Sequence, residues 1–589
     1  MVQRVWIGVI AALVLMVGSA RAQERPNIVL ILADDVGFLD FGTYGGEAAT
    51  PNIDALAARG ALFTNYRTSP LCAPSRAMLL TGIDNHRTGV ATIPEVLPPE
   101  HRGQPGYSLH LEPGVATVAA QLREAGYQTY MTGKWHLGHG DGHLPVDQGF
   151  DRSFILDASG ADNWEDKTYI PYYRQADWFE DGERASLPED FYSSEFLVDR
   201  MIDYIDAGED DAPFFAHVAF QAVHIPVQAP REFTAKYEGV YDVGWHAIRQ
   251  ARWETAQARG FIPEGAPLAD MPDSFRDWSD LTEEDRAWFS KAMAVHAGML
   301  EAMDHHIGRL VAHIEARGEL ENTLFIVTSD NGPEPSWPVG DPNAGGFAAW
   351  GMQNWLERNG YNRDLETLGE KGSYVFIGPE WAMATAAPGD LFKFYATEGG
   401  TRVPMVIAGP GIARTGQIDA LSFVTDIAPT LLDMAGVEPT LGEVEITGRS
   451  LAPVLAAQAR ETYPFDAPVG MEVSGNAALY KGDYKITRSI PPRGDNEWRL
   501  YNIARDPGET QDLSAAEPEK FGELLADYDA YAQEMGVLPM PEGYESTRQI
   551  ISNMMARQLG FYWWILAIIG VVFAGLLYVL VRLGMRLFR

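Results

Sequence analysis

Two short acidic runs stand where chemistry would need them. Asp34-Asp35 follows the apolar run 28–32, and Ser329-Asp330-Asn331-Gly332 follows the apolar run 324–327. Taken singly, an Asp-Asp pair is usually a cap or turn, and Asp-Asn-Gly is usually a turn. Two buried strands that both end in carboxylates are costly neighbours unless a cation joins them. An all-oxygen donor set suits Ca2+ or Mg2+ and not a soft metal. The second feature is the chain's only cysteine, Cys72, in Leu71-Cys72-Ala73-Pro74-Ser75-Arg76. One thiol cannot close an internal disulfide, and packing is the commonest fate of a lone cysteine. Here, however, Pro74, Ser75 and the apolar run 77–80 place Cys72 in or just before the first turn of a short helix. Free N–H groups at a helix start favour anions.

The elements that must carry these residues read as an α/β fold. The runs 28–32, 214–220, 324–327 and 405–407 look like buried parallel strands. Helical stretches over 53–59, 116–125 and 292–316 alternate with them, which implies a sheet covered on both faces. Ligands then bind beyond the strands' carboxyl ends, where both acidic runs lie. A strand from Gln128 leads to Lys134 and His136, which an extended segment would present on one side. After residue 455 the texture changes to short strand-like runs at 477–480, 484–487 and 498–501 and a helix over 517–531. That reads as a smaller α+β subdomain spanning 456–540.

The termini read as targeting segments. Arg4, the apolar run 5–17 and Ala20-Arg21-Ala22 predict a signal peptide over 1–22 and export. Residues 541–560 read as a linker. From 561 to 581 no residue is charged, Tyr562, Trp563 and Trp564 stand at one end, and Arg582, Arg586 and Arg589 follow at the other. This predicts a transmembrane helix over 561–581 with a cytoplasmic tail over 582–589 and the body outside, periplasmic in a bacterium. The net charge of −36 argues against nucleic-acid binding. It also requires any anion site to be locally positive. The sequence does not fix an oligomeric state.

Cys72-Ala-Pro-Ser-Arg76 followed by Leu80-Thr-Gly82 resembles the signature of the type I sulfatases, members of the alkaline phosphatase superfamily. Further matches follow in family order over roughly 25–513: Gly133-Lys134-Trp135-His136-Leu137-Gly138, His224 in Ala222-Val223-His224-Ile225-Pro226, and Lys393 five residues before Glu398-Gly-Gly-Thr-Arg402. The resemblance implies an alkaline phosphatase-like fold, with a large mixed and mostly parallel sheet in a catalytic domain over 23–455. It implies that Asp34, Asp35, Asp330 and Asn331 hold Ca2+, with Mg2+ the alternative, and that Cys72 also contacts the ion. A formylglycine-generating enzyme, as partner, would convert Cys72 to formylglycine. Its hydrated gem-diol would attack the sulfur of a small-molecule sulfate monoester, with Asp330 helping to remove its proton. Lys134 and Lys393 would bind sulfate, Arg76 would hold the gem-diol and the loop, His224 would protonate the leaving oxygen, and His136 would take the second hydroxyl's proton. The implied activity is that of an arylsulfatase-like sulfuric ester hydrolase. Carbohydrate sulfates, phosphonate or phosphate esters on the same scaffold, and a membrane-tethered binding module with an unmodified Cys72 are the competing readings. Read without the resemblance, Lys393 is a surface lysine and the Lys134/His136 pair an exposed lysine and a capping histidine. The Trp-rich stretch 331–393 is the candidate lid.

Overall fold

The computed structural model describes residues 25–209, 212–339 and 346–587. The expected signal peptide over 1–22 lies outside them. The body is organised by a ten-stranded sheet. Across it the strands run Gly416–Ile418, Ala61–Phe63, Met405–Ala408, Thr323–Ser329, Asn27–Ala33, Phe214–Ala219, Gln128–Lys134, Arg152–Leu156, Trp178–Glu180 and Glu183–Arg184. The strands from Thr323–Ser329 through Arg152–Leu156 in that order are mutually parallel. The central strand explains its own composition. Val29, Ile31 and Ala33 enter the core on one face, and Ile28, Leu30 and Leu32 enter the core on the other. A strand buried on both faces must be apolar at every position.

Helices Pro51–Arg59, Ser193–Asp206 and Glu283–Ala316 cover the first face, and Cys72–Thr81, Val118–Glu124 and Ile427–Ala435 cover the second. Thr117 caps its helix by accepting from the amide of Ala120, and Thr282 does the same for the amide of Asp285 at the head of the longest of these six. One direction expected from sequence is corrected. Met405–Ala408 runs antiparallel to Thr323–Ser329, because an unbroken apolar run reports burial on both faces and not strand direction.

The smaller subdomain is a four-stranded antiparallel sheet, Val469–Val473, Asn476–Lys481, Tyr484–Arg488 and Trp498–Asn502. Helix Pro518–Met535 packs Leu524 and Tyr528 against Leu479, Ile486 and Leu500 of this sheet. Its first strand was not legible in the sequence.

The segment read as a linker over 541–560 is also corrected. The last helix begins at Ser546 and runs to Leu587, so most of the supposed linker is helical. Among the described residues no single helix is long and apolar enough to cross a membrane. The parts Ser546–Trp564 and Ala567–Leu583, bent by 60° to each other, meet the length and composition together.

Candidate active site

Three parallel strands deliver their carboxyl ends to one place. Past Ala33 the chain turns through Asp34 and Asp35. Past Ser329 it turns through Asp330 and Asn331, and the amide of Asp330 donates to the carbonyl of Ala33 at 3.1 Å. All four side chains are buried. One ligand atom each from Asp34, Asp35, Asp330 and Cys72 lies within 4.8 Å of the others. Asp35 adopts a left-handed backbone with φ 67, uncommon for any residue but glycine. Asn331 Nδ2 donates to Asp35 Oδ1 at 2.6 Å, while Asn331 Oδ1 is buried without a partner. Three carboxylates and an orphaned amide oxygen make a hard-oxygen set that fits Ca2+ or Mg2+.

Cys72 is the first residue of helix Cys72–Thr81, which is buried along its whole length. Its thiol lies 3.6 Å from Asp34 Oδ1. Burial pushes the thiol pKa well above its ordinary range, with Asp330 and Asp34 adding to the rise and Lys134 and Lys393 opposing it. The thiol as it stands is therefore a poor nucleophile. One turn on, Arg76 ties the site together. Its Nε donates to Asp330 Oδ2 at 2.9 Å and its Nη1 to the Lys134 carbonyl at 2.8 Å. Its Nη2 also lies 2.8 Å from Asp330 Oδ2 and 3.5 Å from Asp34 Oδ2.

The two lysines reach different acids of the cluster. Strand Gln128–Lys134 ends on Lys134, whose Nζ donates to Asp34 Oδ2 at 2.6 Å. Gly133 just before it has φ 104, and a Cβ there would sit 1.8 Å from the carbonyl oxygen of Ala219. Only glycine lets the strand deliver its lysine this closely. Lys393 Nζ lies 2.7 Å from Asp35 Oδ1 and 2.7 Å from Glu334 Oε2. Burial raises the carboxyl of Asp34, yet Lys134, Arg76 and Lys393 beside it hold it below its usual range. Asp35 goes the other way. Burial, together with Asp34, Glu334 and Asp330, outweighs Lys393 and pushes its carboxyl well up.

His136 and His224 are both present, buried and neutral. Burial, with Lys134 and Arg76 nearby, depresses His136 well below the usual range. Neither of its ring nitrogens has a hydrogen-bond partner. The expectation that Lys134 and His136 sit on one side of an extended segment is corrected. The strand stops at Lys134, and His136 turns in through a left-handed backbone at φ 59. His224 Nδ1 lies 2.6 Å from the carbonyl of Ile225, which assigns the proton to Nδ1 and leaves Nε2, 3.8 Å from Asp35 Oδ2, as the acceptor. Burial, with Lys134 and Lys393, depresses His224 as well. His217, in the middle of strand Phe214–Ala219, bonds the Leu30 carbonyl at 3.1 Å in the core.

Cys72, His136, His224 and Lys393 open into one cavity of about 240 Å³. Sequence reasoning missed Glu334, the buried partner of Lys393. Its signal was an acid three residues beyond Asn331, within Asn331-Gly-Pro-Glu334. The candidate lid is only partly at the cavity. Trp337 and Met352 line it, but helix Gly378–Thr385 is fully buried, and Trp350 is 62 % exposed.

A buried acidic cluster beside a helix-start cysteine, two lysines and two uncharged histidines, at the carboxyl ends of a mostly parallel sheet, defines a class of hydrolase that acts on anionic esters. Comparison with known proteins agrees and is narrower. The Sulfatase family model matches residues 26–437, and the model of the N-sulphoglucosamine sulphohydrolase C-terminal region matches residues 391–527. An uncharacterized sulfatase of Schizosaccharomyces pombe is 34 % identical over 88 % of this chain and 96 % of its own length. An arylsulfatase of Klebsiella aerogenes is 37 % identical over 73 % of this chain and 91 % of its own. The crystal structure of Ps i-CgsB in complex with k-i-k-neocarrahexaose superposes with a TM-score of 0.61 at 22 % identity, covering 91 % of this chain and 98 % of that one. The chain belongs to the sulfatase family and is a sulfuric ester hydrolase.

Proposed function

We propose that this enzyme hydrolyses arylsulfatase-type sulfate monoesters, with Cys72 converted to formylglycine and a divalent cation, Ca2+ before Mg2+, on Asp34, Asp35, Asp330 and Asn331. The observation that carries the reading is the Cys72 thiol itself. It is buried at a helix start inside the Cys72-Ala-Pro-Ser-Arg76 motif, and its sulfur lies 3.6 Å from a metal-type carboxylate. Formylglycine at position 72 would supply an oxygen nucleophile, and a cation held by Asp34, Asp35, Asp330 and Asn331 would supply positive charge beside it.

The chain's own residues do the rest. Lys134 and Lys393 converge on the Asp34-Asp35 pair and offset charge on the sulfate oxygens, the kind of preorganised stabilisation that usually contributes most. Arg76 fixes Asp330 and the end of the Lys134 strand, so it positions the site and does not touch substrate. His136 offers two unpartnered nitrogens, and a bound sulfate anion would offset the burial and the Lys134 and Arg76 charges that oppose its taking a proton. His224 holds one proton against the Ile225 carbonyl and offers Nε2. As acid to the leaving oxygen it must first be charged, which a bound sulfate anion favours.

The anchor belongs to the same reading. The uncharged stretch 561–581 leaves Val571, Phe573 and Leu580 at least 65 % exposed. Apolar surface of that extent needs a cover, and a membrane crossed from a periplasmic body to a cytoplasmic arginine-rich tail provides one. The test pairs an aldehyde-reactive probe on the Cys72 peptide with turnover of aryl sulfate and aryl phosphonate esters. The expected result is a labelled peptide and faster sulfate turnover. An unlabelled peptide in active protein, or faster phosphonate turnover, sinks the assignment.

A further inference from the structure

The outer wall of the active-site cavity does not come from the catalytic sheet. Ser546, Thr547, Ile550, Ile551 and Met554 line it. Their spacing of one, three, one and three residues marks a single face of the last helix. That face is fixed to the body. Asn553 is buried, and its Nδ2 donates to the carbonyls of Glu95 and Leu97 at 2.9 and 3.0 Å. Its Oδ1 accepts from Arg102 Nη2 at 2.8 Å. Just ahead of the helix, the Tyr544 hydroxyl donates to the Val96 carbonyl at 2.7 Å. One turn beyond Asn553, the Arg557 guanidinium lies 5.2 Å from the ring centre of Tyr172. A helix held at so many points is a wall and not a passing tail.

The chemistry of the wall differs from that of the cavity floor. The sulfate end is crowded with charge, as described above. The helix shares this cavity with Ile93, Ile170, Trp337, Met352 and Phe394, and with the fewer polar side chains of Glu95, Ser336 and Arg493. Ile550 and Met554 also pack against the two main hydrophobic cores. A charged floor under an apolar mouth matches an ester with a sulfate head and an apolar body.

We infer that the first turns of the last helix, residues 546–554, form the subsite for the alcohol part of the substrate, and that the preferred substrate is a sulfate monoester of an apolar alcohol with a chain or ring system longer than a single phenyl group. This rests on the sulfatase assignment, but not on whether the helix goes on to cross a membrane. Ile551 lines the cavity and is half-buried, so replacing it disturbs packing least. Met555, one residue past the wall and 53 % exposed, is the control on the same helix.

The test is kcat/KM of the full chain in lipid nanodiscs for octyl sulfate, phenyl sulfate and a sulfated monosaccharide. Wild type should prefer octyl sulfate. Ile551→Ser and Met554→Ser should lower kcat/KM for octyl sulfate about tenfold, the scale of one lost apolar side-chain contact, and for phenyl sulfate less than about twofold. Met555→Ser should change neither. A melting temperature measured for each variant separates loss of the subsite from loss of the fold. Equal losses on octyl and phenyl sulfate in a folded variant, no loss on octyl sulfate, or a preference for the sulfated sugar overturns the subsite. No turnover of any sulfate ester by wild type brings down the sulfatase assignment and the subsite with it.

Discussion

Two buried clusters of charge in this protein use the same residue types for opposite ends. One is the active site, where Asp34, Asp35, Asp330 and Glu334 face Lys134, Lys393 and Arg76. The other lies between the main sheet and the C-terminal subdomain. There Glu398 accepts from Arg67, Tyr480 and Lys485, and Lys485 also pairs with Glu509. Acids and cations balance in the second cluster, and all four of its charged side chains are buried. Acids outnumber cations in the first, Asn331 Oδ1 and both nitrogens of His136 lack partners, and a cavity opens above. A closed, balanced cluster joins parts of a fold. An open one with acceptors left over binds something.

The comparison breaks if the two clusters respond alike to losing one charge. Glu398→Gln strands the Arg67 charge in the interior and leaves Lys485 with Glu509 alone, and should cost about 3–5 kcal/mol of stability in a denaturant titration. Asp35→Asn should behave differently. Burial and three neighbouring acids already push the Asp35 carboxyl up toward its neutral form, so a neutral isostere removes repulsion as well as attraction. In chelator-treated protein its stability should stay within about 1 kcal/mol of wild type. Turnover of the metal-loaded variant should fall by about 10²–10³-fold, the scale of losing one preorganised electrostatic group. A large stability loss in Asp35→Asn with activity retained would invert the assignment of the two clusters.

What the sequence revealed of these clusters follows their geometry along the chain. The strand-end acids were legible because each pair is contiguous and follows an apolar run whose burial the composition declares. Cys72, Lys134, His136, His224 and Lys393 were legible as parts of short motifs, although the backbone turn that brings His136 inward was not. Glu398 was visible only as part of a motif, and its task was not, because Arg67 lies 331 positions away and nothing local ties the two. Glu334 stood next to the Asn331 motif, but its task was hidden because its partner Lys393 lies far along the chain. The helix wall at 546–554 was hidden because its signal is a contact across the fold, and the run 541–560 carried too little apolar periodicity to separate a docked helix from a connector. The direction of Met405–Ala408 was hidden because burial alone does not encode it.

A third cluster sharpens the contrast through pH. Burial alone would keep His86 uncharged, but its ring is held between Asp84 and Glu472, at 3.1 and 2.7 Å, and these hydrogen bonds raise its pKa to about 9. Glu472 belongs to strand Val469–Val473, so this contact also joins the subdomain to the body. The folded value lies above the ordinary 6.5, so the folded state binds the proton more tightly. The resulting stability is fully present below pH 6.5 and is lost as pH rises through about 9, to a total of up to about 3 kcal/mol. Denaturant midpoints of wild type should therefore fall across that window relative to those of His86→Phe, which lacks the titrating group. Parallel curves would mean that His86 is not charged in the fold.

The smallest effect belongs to charge left at the surface. Arg499 and Asp495 make a two-pronged contact, 2.9 Å from Nη1 and 2.5 Å from Nη2, on geometry as good as any in the buried clusters. Their side chains are 37 % and 54 % exposed. Water already solvates both partners, so removing one strands nothing, and salt screens what attraction remains. Arg499→Gln should change stability by less than about 0.5 kcal/mol, and less still at high salt. If Arg499→Gln cost as much as Glu398→Gln, contact geometry and not burial would govern these pairs. The contrast between closed and open clusters would then need another cause.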